Sequence, residues 1–299
     1  MHEVYLCLDV GGTEIKAAPL DANGKMLSKI QYFPAMACAD KKTLLEHFAH
    51  IFASICPADK VPIEIDLAFP GPFDYENGIC LLQGLEKYDA LYGCNLRHAF
   101  AALSGLPQKR IQFINDAAAF ALGELTFGSS RQAHKTLFTV IGTGCGSAFG
   151  VDGFLAAKGT LGVPPHGYFY SAPFMDSCVD DYISRRGLEK LTKDLLGTPL
   201  DGRALAARVA AGDTQAASCF LQFGVLLRDA LSPQIEAFNP DMICLGGQIM
   251  HSAPLFLSPL EALCNEKNIK LSVIQDIYFL CRALPNFDDS TQLPESRSM

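Results

Sequence analysis

The stretch Val4-Tyr5-Leu6-Cys7-Leu8-Asp9-Val10-Gly11-Gly12-Thr13-Glu14-Ile15-Lys16 decides how the chain is read. Residues 4–10 form an apolar run rich in strand formers, Gly11-Gly12 breaks it, and strand character resumes over 14–20. Asn23-Gly24 then predicts a tight hairpin into a third strand over 25–33. Glycines at a strand end let backbone N–H groups come close to a ligand, and successive N–H groups make an anion-binding concavity. Thr13 adds a hydroxyl donor to this turn, and Asp9 adds a carboxylate at the strand end.

The same order returns further along. Residues 136–141 read as a strand, Gly142-Thr143-Gly144-Cys145-Gly146 as a glycine turn, 147–151 as a strand and Asp152-Gly153 as a hairpin turn. The repeat predicts an internal duplication: two similar mixed α/β lobes facing across a cleft, 1–116 and 117–299. Between the copies, a helix is expected over 42–53, a strand over 63–69 ending at Pro70-Gly71-Pro72, a helix over 96–103 and a strand over 111–114. After the second copy come helices over 180–196, 204–211 and 214–238, the last stopped by Asn239-Pro240. A strand over 242–245 then ends at Gly246-Gly247, and the tail beyond Leu284 is polar.

With 299 residues, 49% of them hydrophobic, the chain can bury a core large enough for two lobes. A formal charge of -8 argues against general attraction to nucleic acid or anionic membrane. No run of ~18 apolar residues is present to span a bilayer. Met1-His2-Glu3-Val4-Tyr5 lacks the basic and apolar segments of a signal peptide. The eleven cysteines are odd in number and scattered, with no CxxC pair, which predicts reduced thiols acting as small hydrophobes in a cytoplasmic protein. The phosphate signature GxxxxGK[ST] is absent, and Gly142 to Ser147 lacks the third glycine of GxGxxG.

Three glycine turns and a strand-end Asp suit ATP with Mg²⁺, a hard cation that prefers oxygen ligands and usually keeps several waters. Asp9 is the expected Mg²⁺ partner, acting through water. Asn115-Asp116 precedes Ala117-Ala118-Ala119-Phe120-Ala121-Leu122, a segment of strong helix propensity. There Asp116 is the candidate base for phosphoryl transfer, and Asn115 can donate and accept hydrogen bonds as a polyol demands. From helix chemistry alone, a plain Asn-Asp cap accounts for the same pair.

Taken together, these motifs resemble the ROK family of sugar kinases and repressors. Asp9 to Lys16 is similar to the family's first phosphate motif, Phe69-Pro70-Gly71-Pro72 to its Pro-Gly loop, and Asn115 to Glu124 to its catalytic segment. Gly142 to Gly146 is similar to its second phosphate motif, and Leu245-Gly246-Gly247 to its adenosine-side glycines. The resemblance implies a two-lobed actin-like ATPase fold and an ATP-dependent kinase for a hexose or N-acylhexosamine, usually at the 6-hydroxyl. It assigns Asp9, Gly11, Gly12, Thr13, Lys16, Thr143, Gly144, Gly246 and Gly247 to the nucleotide. Gly71, Asn115, Asp116 and His166 go to the sugar, with Asp116 as base. Relatives are usually dimers, so a homodimer is implied, and the lack of a helix-turn-helix before Val4 favours the kinase branch.

The chain also departs from the family. Where a Gly-Glu-Ile-Gly-His segment and a zinc-binding Cys cluster are usual, this chain has Gly159-Thr160-Leu161-Gly162-Val163-Pro164-Pro165-His166-Gly167 and then only Cys178. No structural zinc is expected, because one Cys and one His cannot close a four-ligand site. The family's C-terminal helix is expected to be short or absent. Two other readings stay open at this point: a non-catalytic sugar or nucleotide sensor, and an actin-like ATPase that activates a dehydratase.

Overall fold

The computed structural model describes residues 3–84 and 87–274. They form two compact units, dividing at 123/124 among these residues. In the first, β1 (Glu3–Val10), β2 (Glu14–Leu20) and β3 (Gln31–Pro34) are followed by α1 (Lys41–Ile55), β4 (Val61–Phe69), α2 (Leu96–Ser104) and β5 (Ile111–Asn115). Helix α3 (Asp116–Thr126) leaves β5 directly and carries the chain past the division. The sheet order is β3-β2-β1-β4-β5, with β2 antiparallel to both neighbours and β1, β4 and β5 parallel.

Alternation along β1 assigns the two faces of this sheet. Leu6 and Leu8 join Ile65, Leu67, Phe48, Phe52 and Phe100 in one core. Cys7 belongs to the opposite face, with Ala18, Ala68, Ile114 and Ala119. The small side chains there let α3 lie close to the sheet, which fixes where its first residues stand. Asp40 starts α1 by accepting from the Lys42 and Thr43 N–H groups.

The second unit contains β6 (Lys135–Ile141), β7 (Cys145–Val151) and β8 (Phe154–Leu155). Helices α4 (Val179–Tyr182), α5 (Arg185–Leu196), α6 (Gly202–Ala210) and α7 (Thr214–Phe238) lead to β9 (Met242–Gly246), α8 (Ser258–Glu266) and β10 (Lys270–Val273). Its order is β8-β7-β6-β9-β10, with β7 antiparallel to its neighbours and β6, β9 and β10 parallel. Strand for strand, this repeats the first sheet. The duplication read from a glycine turn and an Asx-Gly turn is therefore present as topology.

The structure corrects several local expectations. The third strand starts at Gln31, not at residue 25. The turn at Asn23-Gly24 does reverse the chain, with Leu20 bridging Met26 in antiparallel fashion and the Asp21 carboxylate accepting from the Asn23 and Lys25 N–H groups at 2.8 and 2.9 Å, but continuous pairing with β2 resumes only at Gln31. The helix expected over 180–196 breaks after Tyr182, because the Ser184 hydroxyl caps a new helix at the Gly187 N–H. Helix α8 and strand β10 were not anticipated. The lobes drawn at 116/117 and the units dividing at 123/124 bracket the first two turns of α3. The expectations for the polar tail and the C-terminal helix fall outside the described residues.

Gly224 shows how tightly the second unit is packed. A Cβ built on it stands 1.8 Å from the Phe256 carbonyl oxygen. In an open helix, Gly→Ala stabilises by about 1 kcal/mol. Here the sign reverses: Gly224→Ala is expected to lose about 2 kcal/mol through overpacking against backbone, seen as a lower denaturation midpoint at unchanged m.

Candidate active site

The parallel register of β1, β4 and β5 brings three loops out at one edge of the first sheet. Asp9 pairs with Ala68, and Phe69 with Asn115. The turn after β1, the Pro70-Gly71-Pro72 loop after β4 and the start of α3 therefore emerge together. In open α/β sheets, this carboxyl edge is where ligands bind.

At the first turn the Gly11 N–H donates to the Glu14 carbonyl at 3.0 Å, and a Cβ on Gly11 would stand 2.6 Å from that oxygen. Only glycine fits there. Tyr88 closes the turn from the other side, its hydroxyl donating to the Gly11 carbonyl at 2.8 Å. Across Gly12 lies the aliphatic stem of Lys87, with Cε 3.0 Å from the position a Cβ would take. Thr13 is exposed at the end of the turn. Asp9 stands opposite Lys16 in the β1–β2 ladder, with Lys16 Nζ 3.8 Å from its carboxylate. Loss of hydration pushes the Asp9 carboxyl up to about 7. Asp116 and Glu14 add to this, while Lys16 and Lys87 oppose it.

Asn115 and Asp116 have separate tasks. The Asn115 Oδ1 accepts from the Ala117 and Ala118 N–H groups at 3.0 and 3.2 Å, so Asn115 is the helix cap. Asp116 occupies the first helical position and accepts from the Ala117 N–H at 2.9 Å. One side of it is open to solvent. Protein displaces water from the others, and this raises its carboxyl above the ordinary range, against the pull of Lys87, the helix N–H groups and Asn115. The Asn115 amide also donates to the Tyr75 hydroxyl at 3.4 Å, and that hydroxyl donates to the Phe69 carbonyl at 2.9 Å. Gly71 lies beside the same hydroxyl, 3.4 Å from its built Cβ. Tyr75 thus ties the Pro-Gly loop to the start of α3.

In the second unit the equivalent edge carries the other glycines. The Gly142 N–H donates to the Gly144 carbonyl at 2.9 Å, and Thr143 is exposed between them. Gly246 pairs with Val140, and Gly247 has φ 104° with its built Cβ 2.2 Å from the Ile141 carbonyl. The two glycine segments are therefore neighbours. Asp180 braces the turn: its carboxylate accepts the Cys145 N–H and pairs with Arg186. Its own N–H donates to the Tyr170 carbonyl at 2.9 Å, which ties the departing loop to this turn. On that loop His166 is exposed and stacks on Tyr168 at 5.7 Å, and Tyr168 stacks on Tyr170 at 4.7 Å. Cys178 donates to Asp181 at 3.5 Å. Among the described residues, no group of three or more His, Cys, Asp or Glu side chains could hold a metal ion.

Sequence reasoning missed Tyr75, Lys87, Tyr88 and Asp180. None belongs to a glycine turn or a helix-start pattern. The one available signal was a buried-type aromatic beside a lysine in an irregular segment. Two stability predictions follow from the start of α3. Asn115→Ala is expected to lose about 1 kcal/mol, the worth of a helix cap. Asp116→Asn should keep or slightly raise stability near neutral pH, because a carboxyl raised on folding resists ionisation in the folded state. That gain disappears at a pH below the ordinary carboxylate range, where both states are protonated. Urea unfolding of the two variants at two pH values checks both signs.

A sequence model described as the ROK family matches residues 5–282. A glucokinase of Thermotoga maritima is 25% identical over 284 residues, covering 85% of this chain and 84% of that protein. An N-acetyl-D-glucosamine kinase of Aliivibrio salmonicida is 26% identical, covering 85% and 87%. Among solved structures, the ROK hexokinase of Thermus thermophilus superposes with a TM-score of 0.71 at 22% identity, over 90% of this chain and 92% of that one.

Proposed function

This chain belongs to the ROK family, with its actin-like fold, and from that premise we propose that it is an ATP-dependent sugar kinase. The acceptor in this reading is a hexose or N-acylhexosamine, phosphorylated at its 6-hydroxyl. The observation that carries the proposal is the division of labour at the start of α3. Asn115 takes the cap, so Asp116 is left at the sheet edge with a raised carboxyl and one open side. A carboxyl of this kind suits the removal of a hydroxyl proton.

Asp116 accepts the proton of the attacking sugar hydroxyl. The Asn115 amide, held by Tyr75, donates to a second hydroxyl, and Gly71 lets the Pro-Gly loop backbone approach the sugar. The N–H groups around Gly11, Gly12 and Thr13 face the phosphates, and Lys16 fixes the orientation of Asp9. In the second unit Thr143 and Gly144 face phosphate, while Gly246 and Gly247 flank the adenosine. The residues fit magnesium: Asp9 is a carboxylate pushed up by lost hydration and a neighbouring Asp, a setting that a divalent cation relieves. When bound with ATP, magnesium neutralises charge on the phosphates. The unbridged state of the ten cysteines among the described residues supports a reduced, cytoplasmic setting.

A second reading, a sensor that binds without turnover, is favoured by the 159–170 loop. There His166, Tyr168 and Tyr170 form an exposed stack, and the loop carries no Glu. An ADP-release assay over a panel of hexoses and N-acylhexosamines separates the two. Wild type is expected to turn over at least one sugar, and Asp116→Ala to lose about 10²- to 10⁴-fold in kcat. No turnover on any sugar, or full turnover by the variant, sinks the kinase reading. Because the base must be ionised to act and its carboxyl is raised, kcat/KM should fall on the acid side at a pH above the ordinary carboxylate range.

A further inference from the structure

We propose that Lys87 is a phosphate-binding residue that recognises the terminal phosphoryl group of the nucleotide, a role that rests on the kinase reading of the same edge. Its position is fixed by its neighbour. The Tyr88 ring is fully buried beside Phe69, with centroids 5.5 Å apart, its N–H donates to the Ala37 carbonyl at 2.7 Å, and its hydroxyl holds the Gly11 carbonyl. Three independent ties on Tyr88 leave the preceding residue little choice of place. The Lys87 stem accordingly lies across Gly12, with Cε, Cδ and Cγ at 3.0, 3.2 and 3.5 Å from a Cβ that Gly12 does not have. A Cβ at position 12 would press on this stem, so Gly12 leaves the lysine room to lie over the turn.

The charge at the end of this stem acts on two carboxylates at once. Lys87 pulls against the upward shifts of both Asp9 and Asp116. With its stem lying across Gly12, it is a cation at the candidate phosphate turn. A phosphoryl group that is in reach of Asp116 and cradled by the N–H groups at Gly12 would meet this ammonium. A lysine carries a compact charge on a flexible stem and binds phosphate as a point charge, so it can follow a group that moves during transfer.

The test measures nucleotide binding by calorimetry, with a non-hydrolysable ATP analogue and ADP, each with Mg²⁺, on wild type, Lys87→Met and Lys87→Arg. Methionine keeps an apolar stem over Gly12 and removes only the charge. Lys87→Met should weaken the ATP analogue by about 10- to 100-fold, the worth of one charge-assisted contact. ADP affinity should hold within about twofold, and Lys87→Arg should restore part of the loss. In turnover, the KM for ATP should rise and that for the sugar should not. Equal weakening of both nucleotides, or of neither, overturns the proposal, as does a wild type that binds no ATP analogue. A wild type that binds the analogue through Lys87 but turns over no sugar keeps the lysine assignment and sinks the kinase reading alone.

Discussion

The structure of the first unit depends on the parallel pairing of β1, β4 and β5. This pairing forces Asp9, the Pro-Gly loop and Asn115 out at one edge although more than a hundred residues separate the first from the last. Backbone hydrogen bonds fix the register, and a slip of one residue would turn each strand's side chains to the opposite face. Asp9 would then enter the core that Leu6 and Leu8 occupy. The hydrophobic alternation of β1 thus sets the position of the charge as well as the stability of the sheet.

Once the edge is assembled, its electrostatics follow. Lost hydration raises the Asp9 and Asp116 carboxyls, Asp116 adds to the rise at Asp9, and Lys16 and Lys87 only partly offset it. In a structural ion-pair network the charges would balance. Here two carboxyls pushed up by lost hydration stand at the same sheet edge as the Gly11-Gly12 turn. Perturbed groups of this kind cluster at functional sites, and the tight turn at Gly11 and the buried Tyr88 hold the arrangement in place.

The duplicated topology was legible in the sequence because it is written in local chemistry. Two glycine turns and two Asx-Gly turns recur in the same order, and Asp152 and Gly153 take the positive φ values, 51° and 84°, that such a turn demands. Asn115 and Asp116 were legible as a pair but not as separate roles, since cap and base differ only in which oxygen meets the Ala117 and Ala118 N–H groups. Lys87, Tyr88 and Asp180 could not be read, because each acts on a residue 35 or more positions away through tertiary contact. The hairpin at Asn23-Gly24 was legible, though not where its second strand begins, and the helix over 180–196 breaks because the Ser184 hydroxyl captures the Gly187 N–H and starts a new helix.

The two copies have diverged in a direction that their chemistry explains. In the first unit the helix leaving the fifth strand begins with an exposed carboxylate, Asp116, whereas in the second a carboxylate from a different place in the chain, Asp180, braces the glycine turn through the Cys145 N–H. The same brace reaches Tyr170, so the loop bearing His166, Tyr168 and Tyr170 is anchored to this turn through backbone. Because that tie uses the Tyr170 carbonyl and not a side chain, the exposed rings of the loop can change without loosening the turn that Asp180 holds.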